Sequence, residues 1–258
     1  MRKKLLFCII SIFLCAPFST SGKSPEQLAL ECERVVFEGG ALEEINAALM
    51  LKANCYKELG RYEDAYLTLE RVRMYALDPL EQQDVLYNEQ LCAFLSGDFT
   101  RACALAEEVI PRNEETLLID ALSYCYAGNY EKAEHYAAVY MRFIGKDSRE
   151  VRDFFRNAPK RKNSTTAMIL SFLPPAGHFY TGEYGEGMLS MGLNAAAAAF
   201  TALNLAYGYW ITGFVGGGIA LDHTFMGNQE RTAALVERYN TNSAIAFGDS
   251  LKAFLAAQ

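Results

Sequence analysis

Charge is missing where a soluble chain would carry it. From Asn163 to Leu221 the only acidic or basic residues are Glu183 and Glu186, although the whole chain has 24 Lys and Arg against 31 Asp and Glu. So long an uncharged tract excludes a uniformly solvated surface and divides the 258 residues into halves suited to different solvents. Histidine is scarce too, with three residues scattered at His135, His178 and His223, and there is one tryptophan, Trp210. HExxH, a Walker A glycine loop, a GxSxG elbow and a strand–glycine–helix dinucleotide fingerprint are all absent. The expectation is therefore a non-enzyme with no catalytic residues, no cofactor and no metal. Seven cysteines include no CxxC pair, which removes the simplest zinc and redox signatures.

What is present begins with a leader-like N-terminus. Arg2, Lys3 and Lys4 precede an apolar run from Leu5 to Phe18 and small residues at Ser19 and Ser21. This is the pattern of a secretory signal peptide spanning 1–22. An uncleaved anchor is the competing reading, but 14 apolar residues are too few to span a bilayer. Cleavage would take the net charge from −7 to about −10, which argues against nucleic acid as a partner. The five remaining cysteines, Cys32, Cys55, Cys92, Cys103 and Cys125, fall at helical positions and read as small buried hydrophobes.

Residues 23–150 read as paired helices, beginning with one over Pro25–Phe37. LGRYEDAYLTLERV, SGDFTRACALAEEV and AGNYEKAEHYAAVY share a glycine, an aromatic two residues later and an alanine three beyond that. Gly60, Gly97 and Gly128 suit left-handed helix ends. Tyr62, Phe99 and Tyr130 are placed to fill the crevice between helices, and Ala65, Ala102 and Ala133 to allow close crossing. The glycines recur at intervals of 37 and 31 residues, around the 34 of a tetratricopeptide repeat. On these residues the stretch 41–145 resembles the tetratricopeptide-repeat family, departing from it at Gln90, where a small residue is usual. The resemblance implies a groove that binds a protein partner, with Lys52, Glu58 and Glu89 on its exposed face.

A basic linker is expected at 151–165, then a membrane hairpin at 166–240. Two apolar stretches, 187–207 and 208–227, each match the hydrocarbon thickness as a helix. Tyr207, Tyr209 and Trp210 suit one interface, and Phe179, Tyr180 and Tyr184 the other. Gly192, Ala196 and Ala199 on one helix and Gly213 and Gly217 on the next would let the two approach closely, and small residues also permit helix–helix association in the membrane. Asn194 and Asp222 each lie 14 residues from Gly208, so Asn194 is expected to hydrogen-bond Asp222 or His223. A proton relay through Asp222 and His223 is the competing role for that pair.

The elbow before the hairpin, SFLPPAGHFYTGEYGEG, contains Pro174, Pro175, Gly177, Tyr180 and Gly182. The prolines end a preceding helix, and the glycines permit a tight turn. Leu173, Pro174, Gly177, Phe179, Tyr180 and Gly182, with Gly227, Asn228, Tyr239 and Asn240, resemble a bacterial class of membrane hairpins. That class is announced by Leu-Pro-Gly-x-Gly-Gln-x-Tyr-x-Gly and closed by Gly-Asn and Tyr-Asn. His178 stands where glutamine is usual and is expected to be a polar turn residue. Residues 241–258 read as a separate amphipathic surface helix.

The expected fold is all-α, a tetratricopeptide-like solenoid followed by a two-helix transmembrane hairpin. The expected function is a bacterial inner-membrane adaptor whose repeats bind a protein partner in the periplasm and whose hairpin meets lipid. A subunit of a membrane transport or insertion complex is the competing function. Export would place Lys160, Arg161 and Lys162 outside, against the positive-inside tendency.

Overall fold

The computed structural model describes residues 22–110 and 113–258, and every regular element among them is helical. The expected leader, up to residue 21, lies outside the described residues. The described residues divide into two compact units, residues 22–158 with 247–258, and residues 159–246.

In the first unit the helices are α1 (Pro25–Glu38), α2 (Leu42–Glu58), α3 (Tyr62–Leu69) and α4 (Pro79–Ser96). They are followed by α5 (Phe99–Leu105), α6 (Glu114–Tyr126), α7 (Tyr130–Phe143) and α8 (Arg149–Phe155). Each packs on its neighbour in sequence, and α4 also reaches α6. Starts are written in the capping residues. Ser24, Asp78 and Asn113 each form a reciprocal capping box, and Asp98 and Asn129 accept from the first turns of α5 and α7.

Stops are equally explicit. Gly60, Gly97 and Gly128 have φ of +70°, +86° and +75°. At each, the glycine N–H and the next N–H return to carbonyls of the last helical turn, as in Gly60 N to Lys57 O and Arg61 N to Tyr56 O. An L side chain at positive φ is strained, so glycine sets the turn.

Ala65, Ala102 and Ala133 are fully buried at the helix crossings. One core joins Leu49, Ala53, Leu69, Val85, Cys92 and Ala93. The fully buried apolar residue of α4's first half is Val85. A second core joins α6, α7 and α8 with the last residues of the chain.

That second core corrects two boundaries. Val151 and Phe155, expected in a linker over 151–165, are buried on α8 and belong to the first unit. Nor do residues 241–258 form a separate surface helix. They continue α12, which runs unbroken from Gly218 to Ala256, and Leu251 and Leu255 are buried in the first unit's core. Phe247 packs against Tyr130, Phe154 and Phe155, and Phe254 stacks on Phe154. The same apolar pattern suits a lipid surface or a protein core; the aromatics of α7 and α8 supply the core.

The second unit contains α9 (Ser164–Ser171), α10 (Ala176–Thr181), α11 (Tyr184–Ala206), a π-helical turn over Thr212–Gly217 and α12 as far as residue 246. By length and composition α11 can cross a membrane, and its large apolar side chains are mostly exposed. The helix starts at Tyr184 rather than 187. The stretch 208–227 is not an element of its own, because the π turn leads directly into α12.

Candidate functional site

Two places collect polar groups that the sequence left scattered. In the first unit, side chains join α2 to α4 and α4 to α6. Lys57 Nζ donates to Asn88 Oδ1 at 2.6 Å, Tyr87 OH to Glu115 Oε2 at 3.0 Å, and Gln90 Nε2 to Asp120 Oδ1 at 2.6 Å. Gln90 and Asp120 are both fully buried. Gln90 is thus a buried polar tie between α4 and α6.

Two residues assigned to an exposed groove face are buried instead. Lys52 is held by Glu33 at 2.6 Å, and Arg71 binds the same carboxylate at 2.9 Å, so hydrogen bonds from Arg71 and Lys52 pull the Glu33 carboxyl down to about 2. Glu89 is covered as well, and of the three only Glu58 is exposed. A helix-face argument cannot see a neighbouring helix arriving to cover a long side chain.

Burial, with like charge from Glu70 and Glu108, pushes the Glu89 carboxyl up to about 7. The folded chain therefore holds a proton that the unfolded chain releases above the ordinary value of 4.5. Stability contributed at this site falls as pH rises from 4.5 to about 7 and stays reduced above it. Glu89→Gln removes that pH-dependent cost. Its urea midpoint is expected to match the parent near pH 4.5 and to exceed it at pH 8, by on the order of 2 kcal/mol. A gap that does not change between those pH values would contradict the assignment.

The free cysteines are buried, apart from the half-buried Cys103. Burial pushes Cys125 and Cys103 up to about 12, which makes them poor nucleophiles. His135 lies exposed beside an open cleft lined by Glu131, Glu134, Arg142 and Arg152. Among the described residues no group of three His, Cys, Asp or Glu is placed to hold a metal.

In the second unit α11 and the returning chain pack antiparallel in a continuous register. A Cβ on Gly213 would meet Leu205 Cδ2 at 2.6 Å, and one on Gly217 would overlap Thr201. Further along, Thr224 Oγ1 donates to Asn194 Oδ1 at 3.2 Å and Ser190 Oγ to Asn228 Oδ1 at 2.8 Å. Arg231 then forks onto Glu186, and Arg238 pairs with Glu183. Asn194 also donates to Ser190 O, so its amide is used on both sides.

The partner of Asn194 is therefore Thr224, not Asp222 or His223, both of which are exposed. Counting equal rises from Gly208 misplaces the pairing by two residues, because the ladder is centred one residue later, on Tyr209: Leu205 meets Gly213 and Thr201 meets Gly217 in the same register. The contact face is also different on α11. Ala197 is buried there, whereas Gly192, Ala196 and Ala199 are exposed; Gly213 and Gly217 do make the close approach.

Comparison with family models, curated proteins and solved structures finds no match to this chain.

Tyr180 of the elbow and Asn240 converge on the backbone of Asn163 and Lys162. Asn240 accepts from Lys162 N at 2.8 Å and donates to Lys162 O at 2.9 Å, and Tyr180 OH accepts from Asn163 N at 3.0 Å. Lys162 Nζ lies 3.7 Å from the centre of the Tyr239 ring. Asn228 also donates to Ser171 O at 2.7 Å, joining α9 to both long helices.

Gly177 is required by contact, since a Cβ there would lie 2.9 Å from Ser171 Cα. Pro174 and Pro175 follow α9, and Gly182, at φ +91°, ends α10. His178 is not an exposed turn residue. It is 3 % exposed on α10, and burial lowers the pKa of its ring. Asn228 and Asn240 were visible only as members of a closing motif; their roles need the distant carbonyls they reach.

Proposed function

We propose that the protein is a non-enzymatic, membrane-anchored adaptor. Its first unit is a tetratricopeptide-like solenoid that binds a protein partner, and α11 with the returning chain is a two-helix membrane hairpin. The carrying observation is the largely exposed apolar surface of α11, with Met188, Leu189, Leu193, Phe200 and Leu203 uncovered, flanked on the return by exposed Trp210, Ile211, Phe214, Val215 and Ile219. An apolar surface of that extent is unfavourable in water and is satisfied by lipid. The polar groups between the two helices are turned inward and paired, which suits a hydrocarbon surrounding.

Exposed Tyr207, Tyr209 and Trp210 suit one interface. Exposed Lys160 and Arg161 suit anionic headgroups at the other. With the leader acting in export, the repeats lie in the periplasm at the bacterial inner membrane.

The full chain is expected to stay with the membrane through alkaline extraction and to lose its repeats when intact spheroplasts are treated with protease. Release by alkali overturns the anchor, and protected repeats overturn the periplasmic placement. A photo-crosslinkable residue at Glu58, on the exposed face of α2, is expected to capture a partner that one at Leu67 on α3 does not. Equal capture at both sites, or at neither, counts against the groove.

A further inference from the structure

The ladder between α11 and the returning chain places two ionisable side chains where the membrane reading has least room for them. Thr224 faces Asn194, and Gly217 faces Thr201. Asp222 and His223 lie between those rungs, opposite the middle of α11, on the part of α12 that turns outward. That level is about ten residues from the end of α11 at Ala206, roughly 15 Å of helix and half the hydrocarbon thickness. Neither side chain takes part in the inward ladder, and both are exposed. A lipid-facing Asp-His pair at this depth requires a covering partner.

The surroundings are shaped for another helix. Gly218 is one turn before Asp222 and Gly227 one turn after His223, so each glycine shares a face with one of the pair. A Cβ at either glycine would meet nothing within 4 Å, unlike Gly213 and Gly217, which are filled by α11. The outward face therefore offers open backbone on both sides of an acid beside a base.

We infer that this face is the contact between two copies of the chain, with Asp222 of each copy bonded to His223 of the other. The inference rests on the membrane reading above. A second copy is favoured because the pair is self-complementary. Two-fold rotation about the membrane normal keeps each residue at its own depth, bringing an acid opposite a base twice with the same surface. Small residues at the crossing allow backbone approach, and the polar pairs bind across it.

The full-length chain is tested by sedimentation equilibrium in density-matched micelles, with vesicle flotation after alkaline wash as a separate readout. Asp222→Ala and His223→Ala should each raise the dimer dissociation constant about tenfold. The swap carrying both Asp222→His and His223→Asp should restore it, because the reciprocal pairs re-form in exchanged positions. Both positions are exposed, so neither variant removes a contact that holds the chain together. A chain that floats but is monomeric, or whose dimer ignores both single substitutions, overturns the second copy and leaves the membrane reading standing. Capture of a different membrane protein through position 222 by a monomeric chain does the same. A chain that fails to float overturns both.

Discussion

Leu251→Ala is expected to lower the stability of the first unit by about 3 kcal/mol, within a range of about 2–5 for a leucine truncated in a core. Leu251 is fully buried among α6, α7 and α8, although it lies more than 90 residues beyond the end of α8. The effect is expected in the urea midpoint of the unfolding transition that exposes the repeats. A surface change on the same helix, Lys252→Ala, should leave that midpoint within about 0.5 kcal/mol.

Removal of 247–258 should have a larger effect than the point substitution. It uncovers the faces that Phe247 and Leu255 occupy and also removes the Asp249 carboxylate, to which Tyr126 OH donates at 2.7 Å. Gly248 sits against the Tyr126 ring, where a Cβ would lie 2.6 Å from Cδ1. A chain ending at Ala158 would thus be a poor stand-in for the first unit, because its core lacks its last helix. If Leu251→Ala unfolds like the parent, the tail does not belong to that core.

The second large effect is expected at Gly217. Its Cα faces Thr201, and an added Cβ would overlap the hydroxyl and lie 2.9 Å from Thr201 Cβ, which is not the movable end of a long side chain. Gly217→Ala is expected to force the two helices apart and cost about 1–3 kcal/mol, with Gly217→Val costing more. Denaturant titration in micelles measures the loss.

Thr201→Gly combined with Gly217→Ala moves the small residue to the opposite helix and should recover most of the loss. The two substitutions should therefore couple, with a double-mutant interaction energy of about 1 kcal/mol or more. Additive losses would mean that residues 201 and 217 do not meet. Gly213→Ala is expected to be milder, since the nearest atoms met are Cδ2 and Cγ of the Leu205 side chain, which can change rotamer, and the backbone N lies farther off at 3.3 Å.

Local signals carried much of the fold. Glycines two residues before an aromatic marked helix ends because positive φ is a property of one residue and its neighbours, and Gly60, Gly97 and Gly128 all have it. Alanines three residues further on marked crossings, and Ala65, Ala102 and Ala133 are fully buried there. The uncharged tract likewise announced α11 as a helix able to cross a membrane.

Pairings over long separations were not legible. The ladder is centred on Tyr209 rather than Gly208, which puts Thr224, rather than Asp222, against Asn194. The amphipathic tail was visible as a helix, but its period does not say whether lipid, water or protein covers its apolar face. Lys52 and Glu89 looked exposed for the same reason.

The sequence by itself determined most of the helices, their glycine stops, and the contrast between charged and uncharged tracts, because each depends on residues within a turn or two. Only the tertiary structure decided that the chain's last twelve residues complete the first unit, that Asn240 clamps Lys162, and that Asp222 and His223 face outward. These depend on which surfaces meet across tens of residues. Side-chain periodicity defines a face but carries no information about what arrives to cover it.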